Sequence, residues 1–233
     1  METKTNKNVS VVFLVLYICA PIMSKNQSEE KKQKIIQDAI KVFMTYGIKS
    51  VTMDDVARNM RISKKTLYQY VTDKNDLVAK CLDYDCTETE DRIKEIMNKK
   101  LNAIEENLEI SKYVVEELRD IHPSIFYDLE KYYPEAWAKM NELRHDFVGE
   151  VMQKNMERGM KQGLYRDDIN PEIMTRLWVA RLNVIFDPNL FPMESFKPVD
   201  VYSQMYMHHI RGIASDKGLK YFEQTLKTTK HQI

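Results

Sequence analysis

In residues 31–82 of this 233-residue chain, short runs of apolar residues at helical spacing are separated by residues that typically cap helices. This order limits the folds that the segment can adopt. Apolar residues recur at three- and four-residue steps from Ile35 to Phe43, which predicts an amphipathic first helix. Gly47 supplies the left-handed residue that commonly ends a helix. Thr52, followed three residues later by an aspartate, has the spacing of a capping box and predicts a short second helix.

A third helix is predicted after a very short turn. Two residues separate Met60 from Ser63, which can cap a helix that begins at Lys64. Leu67 and Val71, four residues apart, give this helix a narrow apolar stripe for packing. Its other side chains suit contacts with base edges and phosphates: Lys64, Lys65, Thr66, Tyr68, Gln69 and Tyr70. Two helices joined so tightly are typical of a helix-turn-helix that places its second helix in the major groove of DNA.

A fourth helix is predicted to begin after Asp73, with Asp76 three residues on as its capping partner. Lys74 lies at the positively polarised N-terminus of this helix, beside backbone N–H groups that have no partner within the helix. A lysine in that position predicts a contact with a DNA phosphate.

Three stretches of this segment, IIQDAIKVFMTYG, VTMDDVARNMRIS and KKTLYQYVTDKNDLV, resemble the N-terminal domain of the TetR family of bacterial regulators. The chain departs from the family pattern at Met60 and Arg61, where a small residue and glycine are usual, and at Lys65. The resemblance implies a dimeric, all-helical, ligand-responsive transcription regulator, most often a repressor. It also implies that Leu67 is a packing position. The predicted DNA-binding residues are Thr52, Lys64, Lys65, Thr66, Tyr68, Gln69, Tyr70 and Lys74.

Composition and charge distribution agree with two helical domains. Glycine (6) and proline (7) are sparse, which favours an all-α fold. The formal net charge is zero, but residues 24–80 hold 12 Lys/Arg against 7 Asp/Glu, whereas residues 81–170 hold 13 against 21. A basic module followed by an acidic body can bind DNA while the body faces away from it. We therefore predict an N-terminal three-helix helix-turn-helix domain at 24–80 and a larger helical regulatory and dimerisation domain at 81–233.

Capping signals also mark helices within the larger domain. Asn170 can cap a helix in which Pro171 occupies the first position and which runs to about Val184. A proline-containing loop separates it from a helix predicted from about Asp200 to Ser215. The resemblance implies that these two helices pair with those of a second chain as a four-helix bundle; packing within one chain is the alternative. The candidate dimer-interface residues are Trp178, Arg181, Leu182, Met205, Tyr206 and Ile210.

Aromatic residues and methionines are frequent in the larger domain. An ordinary apolar core is one interpretation of them. The resemblance favours a second, in which they line an apolar pocket whose occupation separates the two DNA-reading helices of a dimer. The effector that would fill it is not identified by any motif. The candidate pocket residues are Phe126, Tyr127, Tyr133, Trp137, Phe147, Met174 and Trp178.

An unbroken apolar run from Val11 to Ala20 follows Lys4 and Lys7, as in the first two regions of a signal peptide. The run is short for a membrane span, which needs about 20 apolar residues. Met23 precedes a polar lead-in to the first helix. We interpret residues 1–22 as a gene-start artefact or an unstructured apolar leader, with translation beginning at Met23. A membrane-tethered or exported helical binding protein is the alternative function.

The sequence carries no pattern typical of catalysis. It contains no phosphate-binding glycine loop and no serine or cysteine elbow, and its cysteines and histidines lack the spacing of metal ligands. We therefore expect no enzyme activity, no metal and no cofactor. The expected partners are a double-stranded operator with an inverted repeat, a second copy of the chain and a small-molecule inducer, without a membrane. The expected location is the cytoplasm, where a DNA-binding regulator meets its operator.

Overall fold

A computed structural model describes residues 10–119, 121–122, 124–192 and 194–228, with side chains from residue 28 onward except at 143 and 144. Within these ranges the chain is all-α, as predicted, and a lone β-bridge between Tyr165 and Ala214 is its sole extended pairing. The helices are α1 (Ser10–Tyr46), α2 (Met53–Asn59), α3 (Lys64–Leu67), α4 (Lys74–Met97), α5 (Ala103–Arg119), α6 (Ile125–Tyr132), α7 (Pro134–Leu143), α8 (Gly149–Lys161), α9 (Pro171–Val184), α10 (Pro198–Ile213) and α11 (Asp216–Thr228).

The apolar N-terminal run is helical where the structure describes it. Helix α1 begins at Ser10 and continues without a break to Tyr46, whereas residues 1–9 lie outside the described residues. No helix in the described part of the chain combines the length and the apolar character that crossing a bilayer requires. The start of translation at Met23 stays a prediction.

The DNA-reading domain has its own apolar core, to which the predicted helical faces contribute. Ile36, Ala39 and Phe43 of α1 are buried, together with Val56 of α2 and Leu67 of α3. Leu77, Val78 and Cys81 at the start of α4 complete the same cluster. Because α4 continues to Met97, the expected domain boundary at 80/81 falls within a single helix. The two domains are therefore joined by continuous helical backbone.

The larger domain is divided more finely than its sequence pattern predicts. Helices α4 and α5 are separated by a turn in which Lys100 adopts a left-handed conformation with φ of 54°. The sequence pattern does not predict α6, which has only eight residues. A wide π-helical turn, Arg144–Val148, separates α7 from α8. Short helices with few turns give weak periodicity, so pattern alone does not separate them.

Helices α6 and α7 pack mainly against the DNA-reading domain. Ile125 and Leu129 of α6 and Met140 of α7 belong to the same buried cluster as the core of α1 to α4. A second cluster holds the larger domain together around Ile104, Tyr206 and further residues of α5, α8, α9, α10 and α11. The described residues thus form two cores, and α6 lies between them.

The start of α11 docks so closely on the turn after α8 that only glycine fits at one position. A Cβ atom added to Gly218 would meet the backbone oxygen of Leu164 at 1.9 Å. We expect Gly218→Ala to lower the free energy of unfolding by about 1–3 kcal/mol, because backbone must move to admit the methyl group. Gly149→Ala is the matched control, since a Cβ there meets nothing within 4 Å. Equal thermal unfolding temperatures for the two variants would contradict this packing.

Candidate nucleic-acid interface and regulatory cavity

Helix α2 begins with the capping box that the sequence predicts. Thr52 Oγ1 accepts a hydrogen bond from the backbone N–H of Asp55 (3.2 Å) and donates to Asp55 Oδ2 (2.6 Å), which also accepts from the backbone N–H of Thr52 (3.0 Å). These bonds hold the pKa of Asp55 below its ordinary value. The Thr52 hydroxyl is therefore engaged in the cap, although the side chain is exposed.

The turn between α2 and α3 depends on a residue in a left-handed conformation. Arg61 has a φ of 55°, in the region that glycine adopts most easily. This is the position at which the resembling family usually has glycine, so the backbone requirement is kept although the residue differs. The Arg61 side chain is exposed.

Helix α3 buries one side and exposes the other. Ser63 Oγ accepts from the backbone N–H of Thr66 (3.0 Å) and caps the helix, while Leu67 and Val71 are buried. The α-helical part ends at Leu67, and a hydrogen-bonded turn continues to Val71. Tyr68 is 43% exposed. Of the predicted DNA-binding residues here, Lys64, Lys65, Tyr68 and Gln69 are exposed, and Thr66 and Tyr70 are half-buried.

Two of the predicted DNA-binding lysines have partners within the chain. Lys64 Nζ lies 3.0 Å from Asp54 Oδ1, and this exposed pair raises the pKa of Lys64. Lys74 Nζ donates to the backbone oxygen of Lys49 (3.3 Å). Burial lowers the pKa of Lys74, and the carboxylates of Asp128 and Asp55 oppose that decrease. Both lysines would have to exchange these partners to contact a phosphate.

A buried carboxylate of the larger domain holds the loop before α2. Asp128 of α6 is 4% exposed, and its Oδ2 accepts from the backbone N–H of Lys49 (2.9 Å) and from Ser124 Oγ (3.1 Å). The ammonium of Lys49 donates to the Tyr132 hydroxyl (2.6 Å). Sequence reasoning missed this contact, because 79 residues separate its partners and neither belongs to a motif.

An apolar cavity of about 200 Å³ lies inside the larger domain. Residues of α4, α5, α6, α8, α9 and α10 line it, and the π-helical turn contributes Val148. Phe126 of α6 lines this cavity and also a second one, of about 110 Å³, between α6 and the DNA-reading domain. One aromatic ring is therefore shared by the two cavities.

The structure brings only part of the predicted pocket set to the larger cavity. Phe126 and Trp178 line it. Tyr127 is 44% exposed on α6, so its prediction as a lining residue is corrected. Tyr133 and Trp137 pack against the core of the DNA-reading domain, because α6 and α7 face that way. The other two also lie outside the lining: Phe147, under the ammonium of Lys94, and Met174, against the core of the larger domain.

Most predicted dimer-interface residues lie inside the single chain. Trp178, Tyr206 and Ile210 are at most 4% exposed and belong to the core of the larger domain, so the alternative of packing within one chain holds for them. Leu182 lines the cavity and Met205 packs against the core. The exposed apolar residues of α9 lie on its other face, at three- and four-residue steps: Ile173, Leu177, Ala180 and Val184.

Metal ligands do not cluster in the described ranges: no group of three His, Cys, Asp or Glu residues there could hold an ion. A wider depression next to Arg166 and Asp168 is lined by exposed charged residues and lies in the larger domain.

A capped helix-turn-helix with an exposed polar second helix, continuous with a larger helical domain, is the architecture of a DNA-binding transcriptional regulator. Residues 35–81 match the sequence model of bacterial regulatory proteins of the tetR family. The match covers the DNA-reading domain, which is therefore similar to the DNA-binding domain of this family.

The similarity to known proteins extends beyond residues 35–81. It is 23% identical over 186 residues to the uncharacterized HTH-type transcriptional regulator YvaF of Bacillus subtilis, covering 79% of this chain and 96% of the relative. It is 27% identical over 124 residues to the biofilm operon negative transcriptional regulator IcaR of Staphylococcus aureus, covering 52% and 59%. The fold is similar to the transcriptional regulator FadR of Bacillus subtilis in complex with stearoyl-CoA (TM-score 0.59, 16% identity, 78% of this chain and 98% of that chain).

The left-handed arginine in the α2–α3 turn generates a stability prediction. Arg61→Gly should raise the free energy of unfolding by about 0.5–1 kcal/mol, because glycine adopts a positive φ without a clash of its Cβ. Lys100→Gly is the matched control, since Lys100 has nearly the same φ (54°) outside the DNA-reading domain. Chemical denaturation of both variants measures the effect. A loss of stability in Arg61→Gly alone would show that the arginine side chain stabilises the turn by contacts of its own.

Proposed function

We propose that this regulator is a repressor that binds an inverted-repeat operator as a homodimer and releases it when a small molecule occupies the larger cavity. The observation that carries the proposal is the division of the α3 segment into a buried side at Leu67 and Val71 and an exposed side at Lys65, Tyr68 and Gln69. Exposed donors and acceptors on a helix-turn-helix suit base edges in the major groove. The name of IcaR, a negative regulator, supports repression over activation.

Contacts with DNA divide into base readout and phosphate contacts. Tyr68 and Gln69 are exposed and suited to base edges, while Lys64, Lys65 and Lys74 suit phosphates. Thr66, Tyr70 and Thr52 contribute mainly by fixing the segment, because Thr66 and Thr52 are engaged in caps and Tyr70 packs on the core. Lys64 would exchange Asp54 for a phosphate when it meets DNA. The exchange costs little, since both partners are exposed and screened by solvent.

The dimer in this proposal uses the exposed face of α9. Ile173, Leu177, Ala180 and Val184 form one apolar stripe, and Ile173 and Leu177 are 56% and 44% exposed. A stripe of this kind facing water is unfavourable in a monomer, and the same stripe on a second copy would cover it across a two-fold axis. Two reading helices held about 34–36 Å apart then reach successive major grooves, which is why the operator should be an inverted repeat.

Release by a ligand follows from the position of α6. Phe126 of this helix lines the cavity, and Asp128, two residues later, holds the backbone of Lys49. The carbonyl of Lys49 in turn holds the ammonium of Lys74. A ligand that displaces Phe126 would shift α6 and, through Asp128, the loop that carries Lys49. It acts only if it binds the shifted arrangement better than the DNA-bound one. Such a regulator works in the cytoplasm, where the operator lies.

Tyr68→Ala tests the reading surface. We expect at least about a tenfold loss of affinity for an operator selected from genomic DNA, because each half-site loses a direct contact. Tyr127→Ala is the control, since Tyr127 is equally exposed (44% against 43%) but lies on α6. Electrophoretic mobility shifts with random competitor DNA measure both variants, and circular dichroism checks folding. Unchanged specific binding by Tyr68→Ala would place the reading surface elsewhere.

Leu177→Glu tests the dimer. A charged side chain at the centre of the α9 stripe would be buried without a partner in both copies, so we expect the variant to sediment as a monomer. Leu190→Glu is the control, because Leu190 is also exposed (57%) but lies in the loop after α9. Analytical ultracentrifugation gives the oligomeric state. A dimeric Leu177→Glu variant that still binds its operator would rule out this face as the interface.

A further inference from the structure

None of the described side chains that line the larger cavity is charged. Its wall is mostly aliphatic and aromatic, and its polar members are Thr89, Asn107, Ser111 and Tyr202. The carboxylate of Glu106 is buried next to Asn107 in sequence, but it pairs with Arg158 (2.7 Å) and does not line the cavity. A charge buried here would have no opposite charge to stabilise it. The buried part of any ligand is therefore constrained to be uncharged.

The polar lining residues include a buried hydroxyl with unfilled hydrogen-bonding capacity. Ser111 is 1% exposed, and no hydrogen bond of normal geometry reaches its Oγ from the described residues. Tyr202 of α10 is also buried; burial raises the pKa of its phenol to about 12, and a weak hydrogen-bonding contact with the Ser111 side chain opposes that rise. A buried hydroxyl with only this weak contact is unfavourable, so a group that hydrogen-bonds to Ser111 gains more than the same group at an exposed serine.

Asn107 and Ser111 lie four residues apart on α5, so their side chains share one helical face. The Asn107 amide donates a long hydrogen bond to Asn155 Oδ1 (3.5 Å). The Asn155 amide is fixed by the carbonyl of Ala103 (2.9 Å) and by Glu106 (2.9 Å). Asn155 therefore helps to hold Asn107 in the cavity wall, and Trp178 and Leu182 of α9 add apolar surface to that wall.

We propose that the effector of this regulator is an uncharged, mainly apolar molecule with one hydroxyl or carbonyl group that hydrogen-bonds to Ser111. The proposal rests on the proposed function, because it names the ligand class of the same cavity. The cavity volume of about 200 Å³ limits the buried part to a small molecule or to a short segment of a longer one.

Three probes of equal chain length test this assignment: hexan-1-ol, 1-chlorohexane and hexanoate. The chain has two tryptophans, so Trp137→Phe leaves Trp178, which lines the cavity, as the only reporter. Titration of this variant, followed by tryptophan fluorescence at pH 7, gives the affinity of each probe. We expect hexan-1-ol to bind at least about tenfold more tightly than hexanoate, because the carboxylate has no counter-charge.

Ser111→Ala in the same background should weaken hexan-1-ol binding about 2- to 10-fold and leave 1-chlorohexane binding unchanged. Ser203→Ala is the control, since the Ser203 hydroxyl bonds to Val199 on α10 and does not line the cavity. Hexanoate binding as tight as hexan-1-ol, no effect of Ser111→Ala, or no binding of any probe would each overturn the proposal. Operator binding, measured on the same preparations without probes, separates this failure from a failure of the proposed function.

Discussion

Both backbone groups of Lys49 are hydrogen-bonded, and these two bonds link the loop before α2 to α6 and to α4. Its N–H donates to the buried carboxylate of Asp128 in α6, and its carbonyl accepts from the ammonium of Lys74 at the start of α4. A buried carboxylate is stable only when hydrogen bonds satisfy it. Moving the loop away would cost Asp128 one of these bonds, so the contact holds the loop in place. Helix α6, which lines the cavity, and the start of α4, which carries Lys74, therefore both contact the backbone of Lys49.

Apolar packing between α6 and the DNA-reading domain reinforces the hydrogen bonds of Lys49. Leu129 of α6 and Leu77 of α4 belong to one buried cluster, so α6 cannot shift without disturbing the core of the DNA-reading domain. Phe126, one helical turn before Leu129, packs against the same cluster and borders both cavities. The empty space next to a well-packed cluster gives α6 somewhere to move, whereas the Asp128 contact determines what moves with it.

Helix starts that depend on a few neighbouring residues were predicted well from the sequence. The caps at Thr52, Ser63 and Asn170 start helices as expected, because an N-cap bond spans only three residues. The turn at Lys100 escaped prediction because a lysine carries no sign of a left-handed conformation. The burial of the dimer-interface candidates on α9 was hard to predict for another reason. Helix α9 is apolar on two faces, so its periodicity cannot distinguish the buried Trp178 from the exposed Leu177.

Charge explains why recognition should depend on Tyr68 and Gln69 rather than on the lysines around them. Lys64 is paired with Asp54 and Lys74 is half-buried on a carbonyl, so each gives up an existing contact when it meets a phosphate. The binding free energy gained at Lys64 and Lys74 is therefore only the difference between the phosphate contact and the contact that is lost. This gain is the same for every DNA sequence. Tyr68 and Gln69 are exposed to water before binding, and in the proposed complex their contacts with base edges would differ from one sequence to another. In that complex, sequence preference would come from the short exposed side of α3 and the turn that follows it.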